Sequence, residues 1–190
     1  MNMITGWCVW ITGLPGSGKS VVSRTLLDLL DQKEVPVQLL SSDELRKIFT
    51  PKPTYSLEER DVIYAAIVYI AKLLTQNCIN VVIDATGNLR RYRDDARLQI
   101  SNFVEVYLEC PLDVCIQRET ERREMYNAPT QIYQKALENK TSSTVPGVGQ
   151  PYEVPLNPEV VVKNFALTPK EAAQQIYAVI ATNFLGPFLM

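Results

Sequence analysis

The chain has 190 residues and a mass of 21.5 kDa, the size of one globular domain. Hydrophobic residues make up 46% and charged residues 21%, which sets aside disorder as the main state, and a net charge of -2 argues against a general nucleic-acid binder or a basic membrane-surface protein. No histidine is present, so acid–base work must fall to carboxylates, Lys, Tyr or Cys.

Short Val/Ile-rich runs alternate with helical patterns along the chain, the signature of an α/β fold around a parallel sheet. The first run, 7–12, predicts a buried strand, and the next segment, 19–30, predicts a helix with Val22, Leu26, Leu29 and Leu30 on one stripe. A second strand is expected at 35–40. A helix follows at 57–74, with Ser56 and Glu59 in a capping-box pattern and Ile63, Ile67, Ile70 and Leu74 at helical spacing. Strands at 79–83, 103–108 and 160–162 complete a five-stranded set. More polar helices are expected at 112–124 and 130–139. The final helix, 168–182, opens on Thr168 as cap and Pro169 at the first helical position.

Residues 141–158 differ from the rest. Pro146, Pro151, Pro155 and Pro158, with Gly147 and Gly149 between them, predict a loop. Together with the charged stretch before it, this region (about 118–158) is expected to form a mobile lid within one domain spanning 1–190. No apolar run approaches the ~20 residues that span a bilayer, and the N-terminus lacks a secretory pattern. Cys8, Cys78, Cys110 and Cys115 form no CxxC pair and read as mostly buried free thiols, so a cytoplasmic protein is expected.

The strongest signal is Gly13-Leu14-Pro15-Gly16-Ser17-Gly18-Lys19-Ser20, which fits G-x-x-x-x-G-K-[ST] between a predicted strand and a predicted helix. Glycines let successive backbone N–H groups converge on phosphate oxygens, and the helix N-terminus adds partial positive charge. Lys19 then reaches the β- and γ-phosphates, and the Ser20 hydroxyl is a candidate ligand for Mg²⁺. Binding of a nucleoside triphosphate follows; its use does not.

Asp84-Ala-Thr-Gly87 matches the D-x-x-G of GTPases, but 139–142 (Asn-Lys-Thr-Ser) lacks the carboxylate that would read guanine, so a GTPase ranks low. A small-molecule kinase fits better. Asp43 follows the second strand, at the edge where ligands bind in open parallel sheets, and is a candidate base. Ser42 or Asp43 as a helix cap is the alternative. Asp84 ends the third strand and is a candidate for Mg²⁺, directly or through water, with a turn carboxylate as the alternative. Arginines cluster at Arg90, Arg91, Arg93 and Arg97 and again at Arg118, Arg122 and Arg123. In the first group Arg90, Arg93 and Arg97 share a helix face. That face would ordinarily be solvated and paired with Asp94 and Asp95, although an anionic acceptor would call for such cations. The second group opens the lid, where phosphoryl-stabilising cations are expected.

These motifs resemble the adenylylsulfate (APS) kinase family over about 7–162. The phosphate loop matches. Ser42-Asp43-Glu44-Leu45-Arg46 resembles the family's D-G-D-N-[VI]-R, and Tyr55-Ser56-Leu57-Glu58-Glu59-Arg60 its F-S-x-x-D-R. The 103–118 segment resembles F-x-E-V-[FY]…P-L-x-V-C-x-x-R, and the 146–159 segment the stretch that ends in Y-E-x-P…N-P-E. The resemblance implies a P-loop three-layer fold, ATP as donor, Mg²⁺ as cofactor and APS as acceptor. It implies Arg46 and Arg60 near the sulfate–phosphate portion and Asp43 beside the acceptor hydroxyl. A homodimer is a further expectation, because dimers are common in the family. Departures are also present. Val62-Ile63-Tyr64-Ala65-Ala66 stands where the family has E-N-I-R-R, and Ile83-Asp84-Ala85-Thr86-Gly87 replaces I-S-P-x-R. Arg123 is the counterpart of the lid lysine, and Val145-Pro146 replaces Phe-Thr.

The reading is a single-domain P-loop kinase, with Asp43, Lys19 and Arg123 as catalytic residues. Asp43, Arg46, Arg60 and Asp84 hold the acceptor, and Ser20 and Asp84 serve the metal. The acceptor is APS, or else another nucleotide or phosphorylated alcohol. A regulatory nucleotide hydrolase and a non-catalytic ATP sensor stand as alternatives of other classes. Lys19→Ala is expected to abolish turnover while circular dichroism still reports a folded chain; normal activity in that variant refutes the phosphate-cradle assignment.

Overall fold

The computed structural model describes residues 5–50, 52–121, 131–138 and 144–186. Five parallel strands form one sheet: β1 (Cys8–Thr12), β2 (Val37–Ser41), β3 (Asn80–Asp84), β4 (Phe103–Glu109) and β5 (Val160–Lys163), in the order β2-β3-β1-β4-β5. Among the described residues, seven α-helices connect and flank them: α1 (Lys19–Gln32), α2 (Ser42–Phe49), α3 (Leu57–Gln76), α4 (Arg90–Gln99), α5 (Leu112–Glu121), α6 (Ile132–Glu138) and α7 (Pro169–Ile180). A π-helical turn, Ala181–Leu185, follows α7. Among the described residues no helix is long and apolar enough to cross a membrane.

The sheet separates two apolar layers. On one side β1 and β4 residues such as Val9, Ile11, Val104 and Val106 pack with Leu26 and Leu30 of α1 and Ile176 and Ile180 of α7. On the other side Trp10, Val81 and Ile83 pack with Tyr64, Ile67 and Val68 of α3 and Tyr92 and Ala96 of α4. Period-2 side-chain alternation sends neighbouring strand residues to opposite layers, which is why both faces of β1 and β3 are apolar. The expectation of five buried strands needs correcting at the edges. β2 is only half-buried and β5 alternates buried with exposed, because each pairs on one side alone. All four cysteines are free thiols, and only Cys78 is exposed.

Helix starts follow the sequence with two corrections. Thr168 caps α7 in a full capping box with Glu171. At α3 only half of the expected box forms. Ser56 accepts from the Glu59 amide at 3.2 Å, but the Glu59 carboxylate turns to Thr54, Tyr55 and Arg46. At α2 the cap is Ser41, whose side chain accepts from the Glu44 amide, and not Ser42 or Asp43.

The first arginine cluster is not a solvated face paired with Asp94 and Asp95. Arg93 is fully buried, with Nε 2.6 Å from Glu105 Oε1, Nη1 on Gly87 O and Nη2 2.6 Å from Glu153 O. Arg97 bridges Glu105 and Glu159, and the Glu159 carboxylate also accepts from the Glu105 amide at 2.6 Å. Arg90 faces Glu153, and Arg91 faces Asp61. This network ties the 152–159 segment to β4 and to the turn after β3. Its charges are satisfied among themselves, as burial of ions requires. Arg93→Ala would leave Glu105 buried without its main partner, so a loss of about 3–5 kcal/mol is expected. Urea unfolding checks it: an unchanged midpoint would show the network to be incidental.

Candidate active site

The C-terminal ends of β1, β2 and β3 converge on one cleft, because every strand is parallel and every crossover returns to the same edge. A cavity of about 770 Å³ opens there, within the size range of ligand pockets. Its lining includes residues of the phosphate loop, of the starts of α2 and α3, and of the end of β3.

The loop is built as the motif requires. Gly16 and Gly18 hold φ of 79° and 95°, in the left-handed region. A Cβ on Gly16 would run into the carbonyl of Cys115, and one on Gly18 would come within 2.7 Å of Asn164 Nδ2. Gly18 is the residue before α1, so the helix N-terminus points its amides at the loop mouth. Lys19 is buried and donates to Gly13 O at 3.1 Å and Leu14 O at 3.0 Å. Pro15, Gly16, Gly18, Lys19 and Ser20 line the cavity, whereas Ser17 is fully buried beneath the loop. Two supports were not anticipated from sequence. Asn164 Nδ2 donates to Ser17 O at 2.6 Å, and Tyr133 of α6 donates to Pro15 O at 2.8 Å. Neither carries a local motif; both act across more than a hundred residues.

Asp84, the last residue of β3, is buried within hydrogen-bonding reach of Ser20. Burial pushes its carboxyl above the ordinary range, and Lys19, Ser20 and Arg24 pull the other way without cancelling the effect. Mg²⁺ takes few protein oxygens and keeps phosphate oxygens and waters. One hydroxyl and one carboxylate beside the phosphate loop fit that donor set, and no cluster of three acidic or thiol ligands exists among the described residues.

Asp43, Arg46, Arg60 and Tyr64 also line the cavity. Because Ser41 takes the capping role, Asp43 sits in the first turn of α2 without being the cap. Arg46 is buried, pairs through Nη1 with Glu59 and lies 4.7 Å over the Tyr55 ring. Its Nε is buried and has no hydrogen-bond partner among the described residues. Burial would raise the Glu59 carboxyl, but hydrogen bonds from Thr54 and the Arg46 guanidinium outweigh it and hold the group below the usual range. Arg60 donates to Tyr55 O, Asn88 Oδ1 and Thr144 O. Tyr64 occupies the stretch that departs from E-N-I-R-R; its hydroxyl accepts from the Gly87 amide at 3.0 Å, and its ring lies 4.3 Å from Tyr92.

Of the expected site residues, the structure brings together Lys19, Ser20, Asp43, Arg46, Arg60 and Asp84 around one cavity. From the second arginine cluster Arg118 lines it too, while Arg122 and Arg123 lie outside the described residues, as does the 139–142 near-match to a guanine reader. The first arginine cluster contributes no lining residue.

Comparison with known proteins agrees with this geometry. The family model for adenylylsulphate kinase matches residues 5–163. An adenylyl-sulfate kinase of Rippkaea orientalis is 33% identical over 172 residues, covering 90% of each chain. The APS kinase of Mycobacterium tuberculosis, solved in complex with AMPPNP and APS, superposes with a TM-score of 0.80 at 27% identity over 93% of this chain and 98% of that one. A hexameric APS kinase from Thiobacillus denitrificans superposes with a TM-score of 0.66 at 25% identity, over 94% of this chain and 29% of that one.

The raised Asp84 carboxyl has a thermodynamic sign. The folded chain holds that proton more tightly than the unfolded chain, so ionising it costs stability as pH rises from the ordinary Asp range, in full above the folded-state value. Asp84→Asn is therefore expected to melt at or above the wild-type temperature near neutral pH, with the gap closing in acid. Transfer activity should drop by about a hundredfold. A variant that melts well below wild type near neutral pH would contradict the assignment.

Proposed function

The chain belongs to the adenylylsulphate kinase family and is an ATP-dependent kinase, and from that premise we propose that it phosphorylates the 3′-hydroxyl of APS in the cytoplasm. The observation that carries the reading is that the phosphate loop, Asp43, Arg46 and Asp84 line one cavity together.

In this reading the backbone amides of 13–20 and the α1 N-terminus bind the β- and γ-phosphates, and Lys19 turns from loop carbonyls to phosphate oxygens. Ser20 and Asp84 would hold Mg²⁺, which supplies charge neutralisation on the phosphate oxygens. Arg46 and Arg60, which both line the cavity, orient the anionic part of the acceptor. Asp43 accepts the hydroxyl proton as the acceptor oxygen bonds to the γ-phosphorus and the β–γ bridging oxygen leaves with ADP. Because the transition state is loose, placement and electrostatics contribute more than the strength of the base. Arg118 and, by the family resemblance, Arg123 supply cations from the lid side. Self-association, as a homodimer, belongs to the same proposal; the hexameric relative supports an assembling fold.

Asp43→Asn is expected to lower kcat by about a hundredfold or more while leaving the KM for ATP within a few-fold. Coupled ADP release, measured over a panel of APS, other nucleotides and sugar alcohols, tests the acceptor. Turnover with APS far below that with another member of the panel would reject it.

A further inference from the structure

We propose that Asn88 is a positioning residue of the acceptor site, one that sets the Arg60 guanidinium and the returning lid segment with a single side chain. The proposal rests on the acceptor reading above only in assigning Arg60 to substrate. Asn88 lies in the turn between β3 and α4 and is 1% exposed. Its Oδ1 accepts from Arg60 Nη1 at 3.4 Å, its Nδ2 donates to Pro151 O at 3.1 Å, and its backbone carbonyl accepts from the Glu153 amide at 2.8 Å. Arg60 Nη2 in turn donates to Thr144 O at 2.6 Å, and Arg60 Nε to Tyr55 O at 3.1 Å.

The contacts close a ring. Starting at Arg60, it passes through Asn88 to 151–153, back along the chain to Thr144, and returns to Arg60. Both ends of the 144–153 segment are thereby held to a guanidinium that lines the cavity. A carboxamide suits the post because it accepts and donates from one planar group. A carboxylate would keep the acceptor toward Arg60 but lose the donor toward the Pro151 carbonyl. An alanine would lose both and leave a buried guanidinium nitrogen short of a partner. Asn88 is also not spent locally. Leu89 is the residue before α4, and no side-chain cap forms there, so the usual turn-and-cap use of Asn does not account for it.

The test compares wild type, Asn88→Ala, Asn88→Asp and a distant stability control, Thr75→Val, which removes the buried hydroxyl bonded to Ala71 O and Lys72 O at the end of α3. Steady-state kinetics with ATP and APS are read beside amide hydrogen exchange. Asn88→Ala should raise the KM for APS roughly tenfold or more, with the KM for ATP within twofold. Its 144–153 amides should exchange faster while those of α1 do not. Asn88→Asp should speed exchange in 144–153 and raise the APS KM less than Asn88→Ala does. Thr75→Val should melt lower with both KM values unchanged. An APS KM within twofold of wild type in Asn88→Ala, or equal rises for both substrates, overturns the proposal. Should Asn88→Ala not fold, unchanged exchange over 144–153 in Asn88→Asp overturns it. If wild type itself transfers nothing to APS, the acceptor reading fails on its own, and the exchange arm, which needs no acceptor, still decides whether Asn88 holds the segment.

Discussion

Everything at the site depends on close approach at two glycines, to backbone at Gly16 and to a side chain at Gly18. A polyphosphate can be gripped by main-chain amides only if those amides converge. Here convergence is bought by left-handed turns at Gly16 and Gly18, pressed against the Cys115 carbonyl and the Asn164 side chain. No side chain fits at either contact. The loop is therefore held by its surroundings as much as by its own sequence: α5 backs Gly16, Asn164 holds Ser17, and Tyr133 holds Pro15. Lys19 and Asp84 both line the cavity beside the loop, one from the first turn of α1 and one from the end of β3.

Charge is sorted by depth around that loop. Arg93, Arg97, Glu105 and Glu159 form a buried and half-buried set whose charges close on one another, which holds the 152–159 segment and the turn after β3 in place. Arg46 and Arg60, in contrast, line the cavity. Tyr152 braces the first set: its hydroxyl meets Thr12 at 3.0 Å, its ring stacks on Tyr107, and the Arg93 guanidinium lies 5.8 Å from its centroid. The cavity is thus braced by ion pairs that do not line it.

Local patterns reported the elements well where one interaction of short range decides them. Val/Ile runs placed all five strands within two residues, and Thr168 with Pro169 marked the start of α7. They misled where a nearby group competes. Glu59 carries the capping-box spacing, yet a guanidinium thirteen residues back and the Thr54 and Tyr55 amides attract its carboxylate more strongly than one helix-end amide. Ser41, Ser42 and Asp43 are all good caps by type; which one serves depends on where β2 ends, and β2 runs one residue further than its apolar pattern.

The sequence by itself determined the chemistry of the phosphate loop, the alternation of strands and helices and the identity of Asp43, Arg46, Arg60 and Asp84 as candidates. Each of these follows from spacing along a few residues or from motifs that resemble a family. Only the tertiary structure decided that Arg93 is a buried strut outside the cavity lining, that Asn164 and Tyr133 brace the loop, and that Asn88 links Arg60 to the returning segment. The reason is physical. A hydrogen bond across tens of residues costs the same desolvation as a local one but leaves no periodicity behind, so its partners become visible only when the sheet has brought them together.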